Sequence, residues 1–132
     1  MTEIATKLWQ FWSQFEYNGA AVPAYQSDFV PSDAQFPYII FSPAKADALR
    51  TAPLTASVWT RKADGISALA QRTAIMDAVS KAIPVGGVML PLSNGYLVLR
   101  RGSGDFLATM DDPDDSSVAG GRIGYEVTFC VL

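Results

Sequence analysis

Four aspartates fall within five positions near the end of the chain: Asp111, Asp112, Asp114 and Asp115, interrupted only by Pro113, in the run MDDPDDSSVAGG. Carboxylates set this close together bind a metal, share acid/base work, or hydrate a loop between two strands. An EF-hand loop has acids at positions 1, 3 and 5, glycine at 6 and glutamate at 12. Counted from Asp112, position 3 is Asp114, but 5 and 6 are Ser116 and Ser117 and 12 is Ile123. Counted from Asp111, position 3 is Pro113 and 12 is Arg122. Neither frame fits, and weak calcium binding by the clustered carboxylates stays open. Acid/base work needs surroundings that pull the pKa values of two carboxyls apart. The Pro, Ser and Gly neighbours point to an exposed run, where no such splitting arises.

The other groups that carry chemistry are sparse. The chain has no histidine, which removes Ser-His-Asp and Cys-His catalysis and the commonest zinc and iron ligand. Its one cysteine, Cys130, lies in an apolar strand pattern and reads as a buried structural thiol. Gly86-Gly87 and Gly102-Ser103-Gly104 read as turns. Neither belongs to GxxxxGK[ST], to GxGxxG opening a helix, or to GxSxG. The ten bases are scattered singly or in pairs (Arg61-Lys62, Arg100-Arg101) in a chain of net charge −3. That pattern argues against binding nucleic acid by phosphate neutralisation. No catalytic residue, metal or cofactor is assigned. The opening MTEIATKLWQFW lacks the pattern of a signal peptide, and no apolar run approaches a membrane span of ~20 residues. The expectation is a soluble chain, cytosolic at synthesis, with no membrane partner.

The 132 residues are one ordinary domain, 1–132, able to bury a real core. Only 17% are charged, against about 25% in an average protein. Either partners cover part of the surface, or this is a small Ala-rich fold.

The elements that must position these residues follow from periodicity. Ile4, Leu8, Phe11, Trp12 and Phe15 form one face of a helix over 3–17, capped by Thr2 and stopped by Asn18-Gly19. Trp9 falls about 100° from the centre of that face, where it covers the rim of the core or anchors a partner. Residues 18–37 read as a long Pro-punctuated connection that still carries Val22, Tyr25, Phe29, Val30 and Phe36. Such a loop folds onto its own domain or lies against a neighbouring subunit. Tyr38–Phe41 is a short strand, 44–53 a polar excursion, and Leu54–Arg61 a second strand, antiparallel to the first, with Trp59 on its polar side. Asp64 is expected to cap a long helix over 65–83. Its core stripe is Ile66, Leu69, Thr73, Met76, Val79 and Ile83, and Gln71, Arg72, Asp77, Ser80 and Lys81 lie on the wet side. Val88–Leu92, broken by Pro91, is an edge strand. Tyr96–Arg101, Phe106–Met110 and Arg122–Leu132 follow as strands, the last after a long acidic hairpin loop bent at Pro113 and Gly120-Gly121. The fold class is therefore α+β: a single mixed, mostly antiparallel twisted sheet, with the N-terminal helix and the long helix packed on one face.

Taken in order, these stretches resemble the small tail-terminator and tail-completion (neck) proteins of long-tailed bacteriophages, including those described as minor tail or minor capsid proteins. The resemblance is carried by the LWQFWSQF helix and by VPAYQSDFVPSDAQFPYIIFS running into a short strand. It continues through ASVWTRKADG leading into the long helix, IPVGG before the hairpins, and the terminal GYEVTFCVL strand. It spans essentially the whole chain, and the aspartate loop matches no motif of that group. The resemblance implies a non-enzymatic virion protein without cofactor. It implies a hexameric ring at the head-proximal end of the tail tube, ending tube growth and offering a face to the head-tail connector. Its partners would be further copies of itself, the major tail tube protein and the connector, with DNA only passing through the lumen. It would be found first in the host cytoplasm and then in the virion. The interface expected for such a ring comprises Trp9, Tyr25, Phe29, Trp59, Arg100, Arg101 and the acidic Asp111, Asp112, Asp114 and Asp115. Two alternatives stay open at this point. One is another neck or minor capsid component. The other is a small-ligand or calcium-binding, or hydrolytic, α+β domain that uses the acidic loop with Arg100 and Arg101.

Overall fold

The structure is a computed structural model that describes residues 2–43, 51–111 and 115–131. Helix α1 (Glu3–Trp12) opens the chain, followed by a two-residue-stranded hairpin, β1 (Glu16–Tyr17) and β2 (Ala20–Ala21). Then come β3 (Ala24–Gln26), β4 (Tyr38–Phe41), β5 (Thr51–Arg61), helix α2 (Ala68–Ala82), β6 (Val88–Leu92), β7 (Gly95–Arg101), β8 (Leu107–Asp111) and β9 (Val118–Val131). The main sheet is ordered β3-β4-β5-β9-β7-β6, with β8 also on β9. Among the described residues only the β3–β4 pair is parallel. The sheet is therefore mixed and mostly antiparallel, as its alternating sequence predicts.

Both helices cover one face. Strict alternation along paired strands turns Ile39, Phe41, Ala56, Val58, Leu97, Leu99, Ile123, Tyr125 and Val127 to the same side. There they meet Leu8, Phe11 and Trp12 of α1 and Ile75, Met76 and Val79 of α2 in one buried cluster. Trp12 and Tyr125 are both fully enclosed. Their rings meet edge-on at 5.2 Å, and the Trp12 indole N–H donates to the Tyr125 hydroxyl at 3.3 Å. That bond satisfies two polar groups that would otherwise be costly to bury.

Three boundaries differ from the periodicity reading. Helix α1 ends at Trp12, where Ser13 caps it and the Gln14 side-chain amide donates to the freed Phe11 carbonyl. Phe15 is still buried, but from the turn beyond the helix. Asn18 and Gly19 both have positive φ and form the turn of the β1–β2 hairpin, where two consecutive left-handed residues are required. Asp64 and Gly65 repeat this between Ala63 and Ile66, so the cap of α2 is Ser67, whose hydroxyl accepts from the Ala70 N–H. Helix α2 is also rotated from its expected facing. Gln71 and Arg72 are buried, while Leu69 and Thr73 are exposed. Gln71 Nε2 holds the Arg61 carbonyl at 2.7 Å, and Arg72 Nη1 donates to the Gly120 carbonyl at 3.3 Å. Both polar side chains thus enter the core edge with partners.

The last correction concerns the end of the chain. β7 and β8 are not a hairpin. They lie end to end along the same side of β9, interrupted by a five-residue excursion opposite Gly124. Gly102 N–H donates to the Gly124 carbonyl and Gly124 N–H to the Phe106 carbonyl, each at 2.9 Å. β9 begins at Val118, so Gly120 and Gly121 are strand residues paired with β5 and β8 rather than loop bends. Residues 51–53, expected to be part of an excursion, are strand as well, and 44–50 lie outside the described residues.

Candidate functional site

The acidic run is divided by the fold. Asp111 ends β8, Asp115 precedes β9, and Asp112 and Asp114 lie outside the described residues. Asp115 Oδ1 accepts from the Ser117 hydroxyl and from the Ser117 N–H at 2.9 Å. These bonds, the hydroxyl first, hold its carboxyl below the usual carboxylate range, with a smaller contribution from Arg61, 3.9 Å from its other oxygen. The arrangement is a self-contained turn. Among the described residues no three acids or cysteines gather as metal ligands.

Arg100 and Arg101 do not join this loop. Arg101 pairs in register with Tyr125 and Asp111 with Ala119, six residues apart on β9, which is about 20 Å of strand. Arg101 instead closes the end of α2. Its Nε donates to the Ile83 carbonyl at 2.7 Å, its Nη2 to the Ser80 carbonyl at 3.1 Å, and its guanidinium lies 4.5 Å over the Phe106 ring. Arg100 stands on the helix-free face, directly across from Glu126. Trp59, expected to be exposed, is partly covered. Its ring lies against Gly120, where an added Cβ would sit 2.7 Å from Cζ3. Arg61 stacks 4.3 Å over Phe36 at a cleft of about 380 Å³ that also takes in Tyr17, Lys62 and Gln71.

The structure does bring Trp9, Tyr25 and Phe29 together. With Ala24 and Gln26 they line a depression of about 250 Å³ at β3, one outer strand of the sheet. Trp9 is 44% exposed and Phe29 75%. Tyr25 packs edge-on to Tyr38 across the helix-free face.

Sequence reasoning missed the opposite end of the sheet. There β6 covers β7 but stops short of β8, which among the described residues is bonded to β9 alone. Because Gly124 bonds to Phe106, alternation directs Ala108 and Met110 toward β9 and the backbone N–H and C=O of Leu107, Thr109 and Asp111 outward. No hydrogen bond from a described residue reaches Leu107 or Thr109 there. A groove of about 340 Å³ runs between this open edge and α2, lined by Arg72, Thr73, Met76, Ser80 and Leu107 among others. Leu107 is 38% exposed, and Leu69, one turn earlier on α2, 56%. The exposed Leu69 is the signal that periodicity assigned to the core. The remaining large exposed apolar side chains among the described residues, Val85 and Met89, sit before and on β6.

Comparison with protein-family models, with curated proteins and with solved structures finds no match.

Proposed function

We propose that this chain is a structural protein that works by assembling through the edges of its sheet. In this reading it is a ring-forming tail terminator of a long-tailed bacteriophage. It caps the head-proximal end of the tail tube, stops tube growth and joins the tube to the head connector. One observation carries the assembly part. Of the six large apolar side chains exposed among the described residues, Trp9 and Phe29 lie at β3, Val85 and Met89 before and on β6, and Leu107 on the open β8 edge; the sixth, Leu69, is on α2. Apolar residues beside unpaired strand edges are what a monomer avoids and an interface uses. The phage role rests on the whole-chain sequence resemblance. No active site is assigned, and Asp115, the described aspartate before β9, is held in a local turn by Ser117.

Tube growth tests the role. Added to polymerising tail tube protein, the chain is expected to shorten the tubes seen by electron microscopy and to remain bound at one end only. Tubes of unchanged length with no bound protein contradict it. Binding to DNA-filled heads instead of tubes moves the protein to another position in the neck.

A further inference from the structure

We infer that, in the assembly, the β3 edge of one copy pairs antiparallel with the β8 edge of the next, and that α1 of the first copy then packs beside α2 of the second. This deepens the assembly reading and rests on it.

The edges are not equivalent. On β6, the two-residue Ser93-Asn94 turn makes Leu92 and Gly95 a bonded pair, so Pro91 faces outward and has no N–H to give. That edge is blunted in the usual way. β8 offers the outward groups of Leu107, Thr109 and Asp111. On β3, Ile39 donates to Pro23 and Ser27 to Phe41, so Tyr25 faces β4 and the N–H groups of Ala24 and Gln26 point outward.

Strand direction and layering agree with this pairing. β3 runs with β4, β4 against β5, β5 against β9, and β9 against β8. β3 therefore runs opposite to β8, and a neighbour in the same orientation presents an antiparallel partner. Both helices lie on one face: α1 reaches from β6, where Glu3 accepts from Ser93, to β3, where Trp9 lies, and α2 runs along the groove at β8. Joining the edges carries both layers across the contact and brings Trp9 toward Leu69, Thr73 and Met76.

Area decides against a patch acting alone. At their stated exposures, Trp9 and Phe29 offer on the order of 250 Å² between them. A stable contact takes about 800 Å² from each partner. A β8-to-β8 dimer would leave Trp9 and Phe29 bare. Head-to-tail contact buries both ends of every subunit and is the heterologous kind from which rings are built.

Cysteine cross-linking of the full chain, in a Cys130→Ser background, reads this directly. Bonded neighbours lie about 5.5 Å apart at Cα, within reach of a disulfide. Gln26→Cys mixed with Thr109→Cys, or with Leu107→Cys for the adjacent register, is expected to give linked pairs. Each variant alone gives none, and the double variant gives a ladder that ends at the ring. Thr109→Pro removes an outward N–H and breaks no bond to β9. It is expected to keep the circular dichroism spectrum and raise the concentration needed for assembly about tenfold or more. Homodimers from a single cysteine overturn the pairing. So does an oligomer in native mass spectrometry that shows no cross-link and ignores Thr109→Pro, and the assembly reading survives that result. Monomers alone, with tail tube protein present, overturn both.

Discussion

A Cβ at position 121 would land on the Met76 sulfur. The space that Gly121 leaves on β9 is filled by Met76 of α2. Gly121→Ala is expected to cost about 1–3 kcal/mol in chemical denaturation, part of which Met76→Ala restores in the double variant. Tyr125 makes the corresponding contact with α1, through Trp12. Removing its hydroxyl in Tyr125→Phe leaves the buried Trp12 N–H without a partner, a cost of about 1–3 kcal/mol. Burial pushes the Tyr125 pKa upward against the smaller opposing effect of Trp12. The folded state thus keeps its proton where the unfolded chain loses it, at about pH 10. Stability from this group is complete below that pH and declines above it. Tyr125→Phe is expected to flatten the decline between pH 9 and 11. Asp115 has the opposite sign. Its lowered pKa contributes above the ordinary value of 3.8 and is lost as pH falls below it.

At the scale of elements, the two Asx-Gly pairs explain most of what the sequence misplaced. Asn18-Gly19 and Asp64-Gly65 carry the same dipeptide signal as a hairpin turn, and apolar periodicity on one side of each made them look like helix ends. Local spacing does not say whether one left-handed residue stops a helix or two turn a strand. Strand alternation was legible where one covered face forces period two, as in β9, where Ile123, Tyr125 and Val127 turn inward; the short β2 and β3 inside the 18–37 connection were not. The facing of α2 was not legible. Gln71 and Arg72 enter the core only because carbonyls at Arg61 and Gly120, distant in sequence, receive them. Likewise Arg101 was expected at an interface and instead closes α2. Arg101→Ala is expected to speed amide exchange in the last turn of α2 and to cost about 1.5–3 kcal/mol, with Arg101→Lys recovering only part.

For the whole molecule, Trp9, Tyr25 and Phe29 were each legible as interface candidates, but their meeting at β3 was not. The β8 groove was not, because the step between β6 and β8 arises from the excursion opposite Gly124. If the aspartate run is a hydrated turn, replacing all four aspartates by asparagine leaves both calcium titration and assembly unchanged. Loss of a measured calcium affinity would restore the metal reading. Trp9→Ser with Phe29→Ser should leave folding nearly untouched, since both side chains stand largely in solvent, and should abolish assembly. Native mass spectrometry of the full chain with tail tube protein tests the central claim most directly. A single closed ring, lost in the Trp9/Phe29 double variant while its thermal unfolding is unchanged, is the predicted result. Monomers at every concentration, or a ring indifferent to that variant, would contradict it.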